Sequence, residues 1–319
     1  MAYQAFKAGV RLSFAACATV VLASAAQADN IRYVSANGNN ANNCTLPTPC
    51  RTLQRGITAT PERGELRVLD SGSYGLGGFI NKSMTITGNG HTVVLGNPIV
   101  INQATATVAL RSLMLNGQGS TTRGIEIVAA KSVHIENCVI HAFTQHGVFL
   151  NGANSKVFFL DSVARDNGLR GIFVSGFGTS ARLTIDNGRF EENLNSGVYV
   201  LGASAAITRS VANGNALGFV SDGAEVMVER SVAAFNNSAG YSLLNGGQMT
   251  LDASQAHDNV PFGLVVESGG TARVSNSVFV NNGHGISNLS GTVWTRQNNT
   301  VSGNGGTQTD GTLTPLGGT

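Results

Sequence analysis

The sequence predicts an all-β fold, a single-stranded right-handed parallel β-helix with coils of about 21 to 26 residues, from three observations. A glycine followed by alternating apolar residues recurs at Gly124, Gly147, Gly171, Gly197, Gly218, Gly240, Gly263 and Gly285. A column of small residues, Ser112, Cys138, Ser162, Gly188, Ser210, Ser231, Ser254, Ser277 and Thr300, keeps the same period. Helical spacing is absent from the repeats. Units this short, holding two or three strands and no crossover helix, close only as stacked coils of a solenoid.

The elements follow in chain order. Residues 1–28 read as a signal peptide: Lys7 and Arg11 precede an apolar run from Leu12 to Ala26, and Ala26-Gln27-Ala28 has the small-x-small pattern of a cleavage site. Cys17 invites a lipoprotein reading, but Phe14 stands where a branched aliphatic is usual, and the apolar run continues past it. The mature chain is therefore expected to start at Asp29 and to be exported, to the periplasm or the exterior. No later run reaches the ~18 apolar residues of a membrane helix, so no membrane insertion is expected after cleavage.

Residues 29–61 form an opening segment. Cys44 and Cys50 lie six apart in a polar loop and are expected to form a disulfide. Cys50 to Ile57 predicts a short helix, with Leu53 and Ile57 on one side, covering the edge of the first coil. The β-helix proper is expected over 62–302, and 303–319, rich in Gly and Thr, as a flexible tail. Cys138 occupies a slot for small side chains and reads as structural.

After each anchor glycine the first and third residues are apolar, as in Gly171-Ile172-Phe173-Val174, which is strand periodicity. A second strand precedes the small column, as at Val157 to Leu160 and Leu183 to Ile185. Asn recurs four places before the anchors at Asn167, Asn193, Asn236, Asn259 and Asn281, and next to the small column at Asn137, Asn187, Asn276 and Asn299. Stacked amides donate to one neighbour and accept from the other, so both columns read as turn structure.

The repeats and the opening, Tyr33-Val34-Ser35-Ala36-Asn37-Gly38 followed by Pro49-Cys50-Arg51-Thr52-Leu53-Gln54, resemble the pectate-lyase-like superfamily of exported β-helix proteins. That resemblance covers the whole mature chain. It implies the fold strongly and a function weakly, because the superfamily holds lyases, hydrolases, esterases, epimerases and proteins without known catalysis. Its pectate lyases use clustered acids that bind calcium, and no dense acidic cluster occurs here. Of the polygalacturonase elements only Gly283-His284-Gly285 is present, and His284 reads as a turn residue beside an anchor. No cofactor is expected: calcium has no supporting motif, and no metal site is assigned. Only Lys82, Lys131 and Lys156 remain as lysines, so a lysine base is not expected.

Once Lys7 and Arg11 are removed, 18 basic residues balance 18 acidic ones, which gives no charge argument for nucleic acid. The informative positions are those turned outward. Two places after the anchors the column reads Glu126, Phe149, Phe173, Tyr199, Val220, Ser242, Val265 and Ser287. Phe149, Phe173 and Tyr199 on successive coils, ~4.8 Å apart, predict an exposed aromatic row against which sugar C–H faces would lie; the plainer alternative is that the rings stack to shield the sheet or lie under a loop. Asp166 and Glu192 sit at equivalent places on adjacent coils, with Arg165, Arg170, Arg189 and Glu191 close by in sequence. Two carboxylates ~5 Å apart fit retaining glycosidase geometry. The expected site is therefore Asp166, Glu192 and Arg170 for catalysis and Phe149, Phe173, Tyr199, Arg165 and Arg189 for binding. An ordinary salt-bridge ladder is the plainer reading of the charged group. The expected function is polysaccharide binding along one sheet, with lyase or hydrolase activity left open. The rival is a non-enzymatic scaffold or interaction protein, and a divergent calcium-dependent lyase ranks third. Neither the sugar nor the oligomeric state is legible.

Overall fold

From Gly124 to Gly285 each coil carries a glycine at a place where a side chain would meet the next coil. A Cβ on Gly171 would stand 2.6 Å from the carbonyl oxygen of Gly197, and one on Gly197 would stand 2.9 Å from that of Gly218, so the column must stay bare for the coils to stack. The computed structural model describes residues 30–151, 154–176, 178 and 180–317. The expected signal peptide, 1–28, lies outside the described residues.

All strand pairs are parallel, in one sheet of 22 strands and one of 11. Each repeat gives two strands to the larger sheet and one to the smaller. Arg170–Ser175, which contains the anchor Gly171, lies on what we call the anchor face; Arg182–Asp186 lies on a second face; Arg189–Glu191 lies on the third. The inward residues form continuous columns, such as Val148, Ile172, Val198 and Phe219, all essentially buried. Internal rings also meet along the axis, Phe190 edge-on to Phe219 at 6.4 Å between centroids and Phe219 stacked on Tyr241 at 5.7 Å.

The small column is a hydrogen-bonded ladder. The Ser231 Oγ accepts from the Ser210 amide at 3.1 Å, the Ser254 Oγ from Ser231 and the Ser277 Oγ from Ser254. Its two ends correct the sequence reading. Val139 pairs with Met114, so Leu113 rather than Ser112 aligns with Cys138, and Val278 pairs with Thr300, so Asn299 rather than Thr300 aligns with Ser277. The Asn299 side chain accepts from the Ser277 amide at 2.8 Å in place of a serine hydroxyl. Ser112 instead joins Asn137, Asn187 and Asn276 one place earlier, where φ lies between 50° and 53° and asparagine is well tolerated.

A second ladder, fully buried, runs Asn167, Asn193, Asn215, Asn236, Asn259, Asn282 and Asn304. Asn282 replaces the expected Asn281, and Asn215 was not expected. In both coils the turn from ladder to anchor is one residue shorter, so counting back from glycine lands one place early.

The helix spans Leu53–Ala59, N-capped by Thr52, with Leu53, Gly56 and Ile57 buried against the first coil. Cys44 and Cys50 are disulfide-bonded, and Cys138 is free and buried. The tail expected from 303 is part of the solenoid. Thr309–Asp310 pairs with His284–Asn288, and Leu313–Pro315 pairs with Thr292–Thr295. Among the described residues no helix is long and apolar enough to cross a membrane.

Candidate functional site

Strand parity turns every second side chain of the anchor face outward. The register confirms the predicted column, Glu126 beside Phe149, then Phe173, Tyr199 and Val220 on successive coils. Immediately before the anchors runs a second outward column that the sequence reading passed over: Arg123, His146, Arg170 and Ser196. His284 continues it as a strand residue rather than a turn residue.

The rings are not an open row. Phe149 and Phe173 stack face on face, 5.3 Å between centroids and 18° apart, and Tyr199 meets Phe173 edge-on at 84°. Phe149 is only 8% exposed, and Phe173 and Tyr199 are half-buried. This corrects the expected exposed row, because the two Phe faces are turned toward each other along the axis. Arginines occupy the ring surfaces that remain. The Arg123 guanidinium lies 4.5 Å from the Phe149 centroid, and that of Arg170 lies 4.5 Å from Phe173 and 4.4 Å from Tyr199. A planar guanidinium held against aromatic faces is ordered before any ligand arrives.

The charges are arranged unevenly. Arg123 pairs with Glu126 at 2.9 Å, whereas Arg170 has no ion pair among the described residues. Tyr199 Oη donates to Asp222 at 2.5 Å, and Asn245 donates to the other Asp222 oxygen at 2.8 Å. Burial, then the bond to Asp222, pushes the Tyr199 phenol up to about 12. His146 lies between the two arginines in its column, almost fully buried against Phe149 and Phe173. Burial first, then the charges of Arg170 and Arg123, lowers it to about 4, so its ring is neutral at pH 7.

Polar atoms left without partners gather here. Arg123 Nε, His146 Nδ1, Arg170 Nε, Asn195 Oδ1 and Ser196 Oγ are buried and make no hydrogen bond. Buried polar atoms are otherwise nearly always bonded, so five orphans along one edge mark a place where a ligand would complete the bonding.

The remaining predicted residues lie elsewhere. Arg165 and Asp166 pair with each other, and Arg189 pairs with Glu191 at 2.9 Å, each within its own coil rather than across coils. Asp166 and Glu192 occupy matching left-handed bends, φ 55° and 53°, at the end of the third face. Arg170 is brought together with Phe173 and Tyr199, not with these carboxylates. Among the described residues no three His, Cys, Asp or Glu side chains gather as a metal site would require.

The chain matches the family described as right-handed β-helix region over residues 177–313. It folds as a right-handed parallel β-helix. Pectate lyase Pel9A is similar, at TM-score 0.57 and 19% identity, with 88% of this chain and 78% of that one covered. An alginate lyase from Paenibacillus sp. str. FPU-7 superposes at TM-score 0.59 and 13% identity, covering 89% and 99%. The A-module of the mannuronan C-5 epimerase AlgE4 from Azotobacter vinelandii does so at 0.51 and 15%, covering 79% and 88%. At such identities the likeness shows the fold. No curated protein sequence matches the chain.

Proposed function

We propose that the anchor face binds an extended acidic polysaccharide, with Arg170 and Arg123 meeting sugar carboxylates and Phe149, Phe173 and Tyr199 holding those guanidiniums in place. The observation that carries this reading is Arg170, clamped between two rings without a carboxylate partner, beside a line of unbonded buried polar atoms. Solved proteins of this fold that are named for pectate, alginate and mannuronan support a polysaccharide as the partner. Export from the cell, which the sequence pattern supports, would bring the protein to such polymers.

The test is affinity electrophoresis through gels holding polygalacturonate, alginate or neutral dextran. Retardation by an acidic polymer, reduced at least tenfold in Arg170→Gln and in Phe173→Ala, is expected. Equal retardation by dextran, or none by any acidic polymer, would favour the scaffold reading, in which the face serves protein contacts.

A second reading, β-elimination, is favoured by His146, a neutral imidazole set between two cations that would hold a uronate carboxylate. Growth of the unsaturated-uronate absorbance that disappears in His146→Gln supports it. Hydrolysis by Asp166 and Glu192 would instead release reducing ends without that absorbance and be lost in Asp166→Asn.

A further inference from the structure

Around the bend from the anchor face, the second face carries a separate concave surface. Its outward column reads Thr85, Ala109, His134 and Phe158 on successive coils. Two short side chains followed by two rings leave a hollow closed at one end, where His134 stacks on Phe158 at 4.6 Å and 15°. The hollow is an open groove of about 530 Å³. Its walls carry Arg63, Arg111 and Lys131.

The walls are built by an irregularity in the pairing. Gln103 pairs with Ala130 and Thr107 with Ser132, so Ala104, Thr105 and Ala106 together oppose Lys131 alone. Such a bulge bends its strand and re-aims side chains, and here it brings exposed Thr105 to the groove's rim beside Lys131. Regular stacking does not require it.

Charge in the groove is compensated only in part. Arg111 pairs with Glu136 at 2.7 Å, and His134 Nδ1 lies 3.6 Å from the same carboxylate. Arg63 and Lys131 have no ion pair among the described residues, which leaves two free cations over a floor of hydroxyl-bearing and small side chains. Cations facing one groove repel each other unless an anion lies between them.

We infer that this groove is a second, independent site for an anionic saccharide, its carboxylate or sulfate taken by Arg63 and Lys131 and its ring seated on the Thr85 and Ala109 floor against His134. It does not rest on the anchor-face reading, since the two share no residue. The strand Arg123–Glu136 supplies both, giving Arg123 to one and Lys131 and His134 to the other.

Calorimetry on the full chain in an Arg170→Gln background keeps the two sites apart. The probes are trigalacturonate, fully sulfated maltotriose and unmodified maltotriose. Binding of at least one anionic probe, weakened tenfold or more when Arg63→Gln and Lys131→Gln are added, and weakened by raising salt, is expected. The relative affinities identify carboxylate or sulfate as the preferred group. Both residues are exposed, so the melting temperature should stay within about 2 °C of the parent. Failure of both anionic probes to bind, equal binding of maltotriose, or binding that ignores the double substitution would show the groove to be ordinary solvated surface. Failure of the anchor-face reading would appear separately, as an Arg170→Gln change that costs nothing in the otherwise unaltered protein.

Discussion

Asn281 and Asn282 are identical in chemistry and adjacent in sequence, and the structure assigns them opposite fates. Asn282 is buried: its Oδ1 accepts from the Asn259 amide at 3.1 Å and from Asn259 Nδ2 at 2.9 Å, and its Nδ2 donates to Ala256 O at 3.0 Å and to Asn304 Oδ1 at 3.1 Å. Replacing it by Ala strands the Asn259 amide, one Nδ2 hydrogen of Asn259 and the Ala256 carbonyl away from water. At about 1 to 3 kcal/mol for each group left without a partner, and allowing for partial relaxation, the loss should be about 3 to 5 kcal/mol. Asn281 is exposed with φ 55°, so Asn281→Ala should cost no more than about 1 kcal/mol, chiefly for placing alanine in a left-handed bend. Urea unfolding of the two variants beside the parent, with the slopes compared to verify a common transition, measures the difference. Equal losses, or a larger loss at Asn281, would refute the ladder register and with it the shortened turn before Gly285.

His146 should make stability depend on pH. Its folded value is lowered to about 4 while the unfolded ring titrates near 6.5, so below pH 6.5 only the unfolded chain takes up this proton; stability is full above that value, declines toward pH 4 and levels off beneath it. The contribution is roughly 2 to 3 kcal/mol, and unfolding midpoints at pH 7 and pH 4 should differ less in His146→Gln than in the parent; an unchanged difference would place the dependence elsewhere. Reducing the Cys44–Cys50 bridge, which closes a short loop, should cost about 2 kcal/mol at most in the chain-entropy account. Cys138, buried and with its thiol pushed up to about 11, should react with a thiol reagent only after unfolding, so a third reactive sulfur in the native reduced protein would contradict its place in the packed column.

The inward half of the molecule was legible because stacking makes each coil constrain the next: glycine where carbonyls crowd, small side chains where amides reach across, apolar residues in the core. What the sequence misplaced lay beside turns of variable length. Pairing fixes where Asn215 and Asn282 stand, but the loop from ladder to anchor admits or drops a residue, so counting from glycine returns Gly214 and Asn281 instead. Parity correctly turned Phe173 outward yet said nothing of ring planes, which depend on how Phe149 and Tyr199 pack against it. The column of Arg123, His146 and Arg170 stands just before the anchors, where parity counted from the following strand assigns no face; it shows only when that position is aligned across coils, as three basic residue types in succession.

The extent of the candidate site follows from where the outward column changes character. Glu126, Phe149, Phe173 and Tyr199 give way to Val220, Ser242, Val265 and Ser287, which point outward by parity yet are at most 4% exposed. Short side chains on a pleated face are shaded by taller neighbours, so this stretch offers shape but little chemistry. The change falls at the coil of Asp222, whose carboxylate takes the Tyr199 hydroxyl and so ties the last ring of the row to the first coil without one. From the coil of Arg123 to that of Tyr199 is three strand spacings, about 14 Å along the axis. Specific recognition on the anchor face is therefore concentrated on a short segment of a polymer, and a longer chain would run onward over short, shaded side chains before reaching the Phe262 and His284 rings, 5.5 Å apart in the column before the anchors.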